Sequence, residues 1–416
     1  MSAGKGGFGS VEVHRYVNGR NFDVFNREPK TAVKLRAWNP YPRKTGEYYA
    51  VKRMTTFHER GPTKTRESSA NPYAQLINEI RILTHPDLRG HPNILYLFGV
   101  SYTPSRDGTN LAEPNIVLQE GDCGSLFDFY RQRDFRMNRQ ALVEVKMSLC
   151  FDIACGLEAL HRHGVVHCDL KPQNILVRRR LGRERQIQTV NTDCEKSAVA
   201  IRAMSGECDF VAILADFGGS VVLLDSIDQG EVKLKAYTPL WCAPECYGGA
   251  AISRDQLARV DMYSAGLVFV FILLEGRDIF TTTADQGRTQ ELDIAMDEDI
   301  VTELKLSGVA LDIAKDKISE LELYPVAYSD VFARILDMAL QVDPLDRAEK
   351  ATDMLKPWKE ALDADVHLKN PHEYLDYGNQ ELFLAFASER HRVTSYFDNP
   401  KTCARYVRER GKASVL

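Results

Sequence analysis

The chain has 416 residues, 44% hydrophobic and 27% charged, with a formal net charge of −5 and a pI of about 6.1. That balance argues against nucleic acid or an anionic membrane surface as a bulk partner, and the length allows two or three domains or one large two-part domain with additions. The nine cysteines have no regular spacing, and Cys242 and Cys246 lack the second half of a zinc site, so no disulfide framework is expected and the setting expected is intracellular and cytoplasmic.

The N-terminal "MSAGKGGFGS" lacks the charged-then-apolar pattern of a secretory signal. The first third reads as strands: "FGSVEVHRY" and "EYYAVKRM" alternate, and "NILYLFGVSY" and "NIVLQE" continue the pattern. One helix interrupts them, "YAQLINEIRILTH", with Leu76, Ile77, Ile80 and Leu83 as its apolar residues. From about residue 125 the chain turns helical. "LVEVKMSLCFDIACGLEALHRHG" is an amphipathic helix that Gly164 closes. Further helices are predicted over about 261–275, 328–341 and 350–364. The apolar run 265–274 is too short to span a bilayer as a helix and reads as a buried core helix. Residues of about 17–46, 58–72 and 178–209 read as insertions, and there is no internal repeat. A strand-rich front and a helical back predict an α+β protein in two unequal lobes.

"GKGGFGSV" sets Gly4, Gly6 and Gly9 in a G-x-G-x-x-G-x-V pattern. Glycines let a backbone approach phosphates and aim N–H groups at them, although a glycine-rich hairpin is often only a turn. No helix follows, so it is not the dinucleotide fingerprint, and no G-K-[ST] is present. A strand follows, which suits a flap over a nucleotide. "AVK" then occurs twice, ending at Lys34 and at Lys52. The second follows a turn and an alternating strand and leads on to the helix bearing Glu79. A buried strand lysine needs a carboxylate partner, so Lys52 is favoured over Lys34.

"HCDLKPQNILV" concentrates chemistry at the mouth of an apolar strand. There Asp169 can accept the proton of a hydroxyl nucleophile, Lys171 can neutralise a moving phosphoryl group, and Asn174 can hold a metal through its amide oxygen. In "LADFGGS", Asp216 ends an apolar strand and supplies a second metal contact. Oxygen donors of this kind, completed by phosphates, suit Mg²⁺.

With these motifs in order, and with "APE" at 243–245, the chain resembles the eukaryotic protein kinases from Gly4 to about Lys359. The resemblance extends to "HPNIL" at 91–95, to "DMYSAG" from Asp261, and to "DPLDR", whose Arg347 is expected to pair with Glu245. It implies a bilobal kinase fold: an N-lobe over 1–118, a hinge and C-lobe over 119–364, and an extension over 365–416. It also implies ATP and Mg²⁺ as cofactors. Gly4, Lys5, Gly6, Gly7, Phe8, Gly9, Val11, Ala50, Lys52, Leu118, Gln119, Gly121, Leu176 and Asp216 would then hold nucleotide. Leu118 would be the gatekeeper, and Gln119 to Gly121 would offer backbone groups to adenine. Asp169, Lys171, Asn174, Lys52 and Glu79 would be catalytic, with Asn174 and Asp216 on the metal. Lys171 in "DLKPQN" and Thr238 in "YTPLWCAPE" resemble the serine/threonine class, whose partner is a protein bearing a Ser or Thr acceptor.

The sequence departs from the family in three places. Cys168 replaces the arginine of His-Arg-Asp, which in the family clamps an activation-loop phosphate at a residue such as Ser220, Ser226 or Thr238. The chain begins three residues before Gly4, so the sequence is truncated there or the first strand is short. Arg178, Arg179, Arg180, Arg183 and Arg185 open the third insertion as a solvated loop or an acidic-partner site. Two other functions fit parts of the pattern: a nucleotide-binding pseudokinase scaffold, against which every filled catalytic position counts, and a small-molecule kinase, against which "APE" and Arg347 count.

Overall fold

The computed structural model describes residues 3–6, 9–17, 20–23, 36–37, 48–54, 72–104, 112–131, 139–179, 210–223, 230–234, 237–249, 251–284, 292–295, 297–321, 327–358 and 360. Residues 1–359 form one compact unit and 360–416 another; the sheet and the helices that carry the candidate site belong to the first. Gly7, Phe8, Lys34, Ser226, Arg180, Arg183, Arg185 and all of the 365–416 extension lie outside the described residues.

The front part is an antiparallel sheet of β1 (Ala3–Gly6), β2 (Gly9–Val17), β3 (Arg20–Asp23), β4 (Arg36–Ala37), β5 (Tyr48–Met54), β6 (Leu97–Pro104) and β7 (Ala112–Gln119). Among the described residues its order is β1-β2-β5-β7-β6-β4, with β3 on β2. Register decides which side chains share a face. Val11 lies opposite Lys52, Val13 opposite Ala50, and Ala50 opposite Leu118. Because side chains alternate along a strand, these residues form one surface, while Tyr49, Val51 and Val117 pack together with Phe98.

Helix α1 (Pro72–Leu83) lies near β5 in the fold. Its buried face is Leu76, Glu79, Ile82 and Leu83, whereas Ile77 is 64% exposed. Of the predicted apolar stripe, Leu76 and Leu83 are buried and Ile80 partly so, but Ile77 faces away, and Glu79 stands within the buried face instead of behind it. Strand β6 starts at Leu97, not Asn93. The Asn93 amide donates to the Ala212 carbonyl at 3.0 Å and Leu214 N–H donates to the Asn93 carbonyl at 2.9 Å, which ties this stretch to a different strand.

The helical part is built on α3 (Arg139–Arg162), with α2 (Leu126–Arg131) before it, and on α4 (Arg254–Leu273). From Val260 to Leu273 every residue of α4 is buried, so the apolar run is a core helix. A fully buried Leu, Val, Ile or Phe contributes about 1.5–3 kcal/mol relative to exposure. Two glycines permit this density. A Cβ at Gly156 would lie 2.8 Å from Leu214, and one at Gly266 would lie 2.7 Å from Ala339. Gly164 closes α3 at φ +68° as expected. Helix α4 begins earlier than predicted, at Arg254 with Asp255 in its first turn, where an acid suits the helix dipole. The predicted 350–364 helix opens as a 3-10 turn over Ala351–Leu355.

Two short pairings place the loops. β8 (Val165–Val166) pairs with Val221–Val222, and β9 (Ile175–Arg179) pairs with β10 (Phe210–Leu214). The segment 167–174 therefore hangs between β8 and β9, and Asp216 follows directly on β10. Beyond α4 come a hairpin of Thr281–Ala284 with Leu292–Ala295, then helices α5 (Glu298–Leu306), α6 (Val309–Ser319) and α7 (Ala327–Asp337).

Candidate active site

Lys52 is buried on β5, and its Nζ lies 2.7 Å from Glu79 Oε2 and 2.6 Å from Asp216 Oδ1. Burial disfavours the ammonium, but the two carboxylates outweigh it and raise the Lys52 pKa. Full burial raises the Glu79 carboxyl, and one ammonium offsets this only in part. Burial would raise Asp216 as well, but the charge and hydrogen bond of Lys52 hold it below the ordinary carboxylate range. Glu79 Oε1 is buried with no hydrogen-bond partner among the described residues.

Asp169, Lys171 and Asn174 converge on one another. Lys171 Nζ donates to Asp169 Oδ2 at 2.7 Å and to Thr238 Oγ1 at 2.8 Å, while the Thr238 hydroxyl donates to Asp169 Oδ1 at 2.6 Å. Asn174 donates from its amide nitrogen to the Asp169 carbonyl at 2.8 Å and to Asp169 Oδ2 at 3.1 Å. That leaves the Asn174 amide oxygen for a cation, and Asp216 retains Oδ2 beside the oxygen bonded to Lys52. An all-oxygen donor set fits a hard divalent ion.

The loop owes its path to Asp261 on α4, a residue to which the motifs alone assign no role. Its Oδ2 accepts from His161 Nε2 at 2.8 Å and from His167 N–H at 2.7 Å, and its Oδ1 accepts from Cys168 N–H at 2.9 Å. Burial opposes ionisation of Asp261, yet these donors hold its carboxyl below the usual range. They also hold Cys168 at φ +64°, a left-handed conformation uncommon outside glycine. His167 Nδ1 accepts from Asp169 N–H at 3.4 Å, so its Nε2 carries the proton donated to the Ala215 carbonyl at 3.0 Å. The His167 ring sits 5.4 Å from that of Phe217. Asn78, beside Glu79, donates to the Phe217 and Ser220 carbonyls at 3.1 and 2.9 Å. Asn78 gives no local sequence signal, and the motif that opens at Asp261 marks a helix but not this role, because their partners are distant in the chain.

Of the nucleotide-facing candidates, Val11, Ala50 and Leu118 share the sheet surface that carries Lys52. Gly121 comes so close to β9 that a Cβ there would lie 2.9 Å from Leu176 Cβ. Ala50 and Leu118 are apolar neighbours in register with Val11 and Lys52, and Leu176 stands against Gly121 from a separate two-stranded sheet. Within the stretch expected to offer backbone groups to adenine, the Gln119 N–H donates to the Tyr96 carbonyl at 2.9 Å. Gly4, Lys5, Gly6 and Gly9 lie in the β1–β2 hairpin, where Gly6 pairs with Gly9. Away from the site, Arg347 binds Glu245 through two bonds of 2.7 and 2.8 Å, a bidentate geometry that suits a buried guanidinium.

The sequence model of the protein kinase domain matches residues 39–359, a span that begins after the glycine-rich hairpin. Among curated relatives, calcium/calmodulin-dependent protein kinase type IV of Homo sapiens is 30% identical over 192 residues, 46% of this chain and 30% of that protein. Sucrose non-fermenting protein kinase 1 of Fusarium virguliforme is 27% identical over 197 residues, 47% and 21% of the two chains. Calcium-dependent protein kinase 8 of Arabidopsis thaliana is 27% identical over 249 residues, 60% and 36%. The matched segments thus span about a third or less of these relatives' own length. By the family match over most of its length, the chain belongs to the protein kinase domain family.

Proposed function

We propose that this chain is a protein serine/threonine kinase that transfers the γ-phosphate of ATP to Ser or Thr hydroxyls of proteins. The observation that carries the reading is the Thr238 hydroxyl, held between the Asp169 carboxylate and the Lys171 ammonium at 2.6 and 2.8 Å. A carboxylate and an ammonium that hold one alcohol can hold an acceptor alcohol in the same manner. Asp169 then orients the nucleophile and takes its proton, and Lys171 offsets charge on the phosphoryl group. Lys52, aimed by Glu79, anchors the nucleotide phosphates, and the Val11, Ala50, Leu118 and Leu176 surface receives the base. Asn174 and Asp216 would hold Mg²⁺, which supplies charge neutralisation on the phosphates. Cys168 stands where the family's loop-clamping arginine would be, so control of this enzyme does not run through that contact.

Two measurements test the assignment. Phosphoamino-acid analysis of products made with Mg²⁺ and ATP should give phosphoserine and phosphothreonine; dominant phosphotyrosine would refute the class. Lys52→Met should lower the rate by about 10²-fold or more, as expected for a lost electrostatic anchor, while Lys34→Met leaves it nearly unchanged. Equal losses from both would contradict the role given to Lys52.

A further inference from the structure

Lys305 on α5 is fully buried, and no carboxylate lies within ion-pairing distance of it among the described residues. Its three donors are all used on main-chain carbonyls, Pro239 at 2.7 Å, Leu240 at 2.9 Å and Cys242 at 2.9 Å. Its Nζ also lies 5.6 Å from the Tyr247 ring centre, 5.9 Å from that of Tyr263 and 5.4 Å from that of Phe280, a cage suited to a cation. Burial pushes its ammonium down to about 8, so the fold keeps this charge at a cost.

All three carbonyls belong to one turn, the one that follows Thr238. Trp241 and Cys242 N–H groups close it on the Thr238 carbonyl at 2.9 Å each, and the Tyr247 hydroxyl donates to the Pro239 carbonyl at 2.7 Å. One end of the turn is fastened to Asp169 and Lys171 through Thr238, and Lys305 holds the rest from the protein interior. Pro239 and Leu240 remain half-exposed beside the catalytic carboxylate. Because Thr238 at the start of the turn is bonded to Asp169 at 2.6 Å, a polypeptide with its hydroxyl at Asp169 has this turn beside its neighbouring residues.

We propose that Lys305 is a positioning residue for the protein substrate: its ammonium sets the path of the 239–242 turn against which the residues flanking the acceptor hydroxyl dock. The inference rests on the proposed kinase activity. It separates substrate docking from nucleotide binding, because Lys305 touches nothing on the Lys52 side of the site.

The test compares Lys305→Met with wild type in steady-state assays, varying a Ser-containing peptide and ATP separately. The expected result is a peptide KM raised about tenfold or more with the ATP KM unchanged within about twofold, the signature of lost substrate binding rather than general damage. Tyr247→Phe, which removes one donor to the same turn and keeps the ring, should raise the peptide KM in the same direction by less; it decides the matter if Lys305→Met does not fold. An unchanged peptide KM in the folded variants, or peptide and ATP KM rising together, overturns the inference alone. No transfer by the wild type overturns the kinase reading and this inference with it.

Discussion

Asp261 shows how much one buried carboxylate settles: it orders the two residues before the catalytic aspartate. Its native carboxyl lies below the ordinary value, so near pH 4 the unfolded chain binds more protons than the folded one. The stabilisation is therefore fully present above the unfolded pKa of about 3.9 and is lost as pH falls through the lower native value. Asp261→Asn should cost about 1–3 kcal/mol at pH 7. The deficit against wild type should shrink in urea titrations taken down in pH from 4; a constant deficit would contradict the assignment. Cys168 leads to a second expectation. Burial raises its thiol well above the usual value, so position 168 is neutral and supplies no cation to receive a phosphate. The Ser220 hydroxyl is buried and donates to the His167 carbonyl at 3.2 Å, and that of Thr238 is committed to Asp169. Enzyme stripped by phosphatase, its loop shown bare by mass spectrometry, should retain its initial rate within about tenfold, since ordering of the loop by a new Arg–phosphate pair is not needed. A hundredfold drop would mean that another cation serves in place of the missing arginine. At this scale legibility depended on proximity in sequence. Asp169, Lys171 and Asn174 lie together in one stretch, whereas Lys305, Asn78 and Asp261 act on main-chain groups that only the folded chain brings near.

At the scale of elements, α3 and α4 carry the helical part, and their approach depends on missing side chains. Gly266→Ala would set a Cβ 2.7 Å from Ala339 Cβ and 2.8 Å from Leu340 Cδ2; both residues are buried in the turn that follows α7, and the Ala339 Cβ is fixed to the backbone and cannot swing aside. Overpacking should outweigh the gain in helix propensity and destabilise the fold by about 1–3 kcal/mol. Urea unfolding measures it, and a more stable variant would contradict this account of the packing. The C-terminal end of α4 is completed by Lys146, which donates to the Leu273 carbonyl at 3.0 Å and to Glu275 at 2.8 Å, a favourable place for a cation. The long helices were legible as elements, α4 from its uninterrupted apolar run; α3 read as amphipathic, whereas every residue from Val145 to Leu160 is buried. The buried face of α1 was not fully legible, since it includes Glu79, which hydrophobicity counts against burial and only Lys52 explains. Strand β6 was overrun at its start because Asn93 to Leu95 serve β10, a partner far along the chain.

The whole molecule joins a sheet that presents Lys52 with a helical part that presents Asp169, and the site exists only where β5, α1, the 167–174 loop and Asp216 meet. The order of the motifs along the chain made this two-part design readable, while the insertions carry no period from which structure could be read. The central claim is that this junction transfers phosphate rather than only holding nucleotide. The most direct measurement is the initial rate of transfer from Mg²⁺-ATP to a generic basic protein, for wild type and Asp169→Asn side by side, with nucleotide affinity measured for both. Wild type should turn over measurably, the variant should lose about 10²–10⁴-fold as for removal of a general base, and the two nucleotide affinities should be closely similar. Nucleotide binding by both proteins, with equal and negligible transfer, would contradict it and identify the chain as a scaffold.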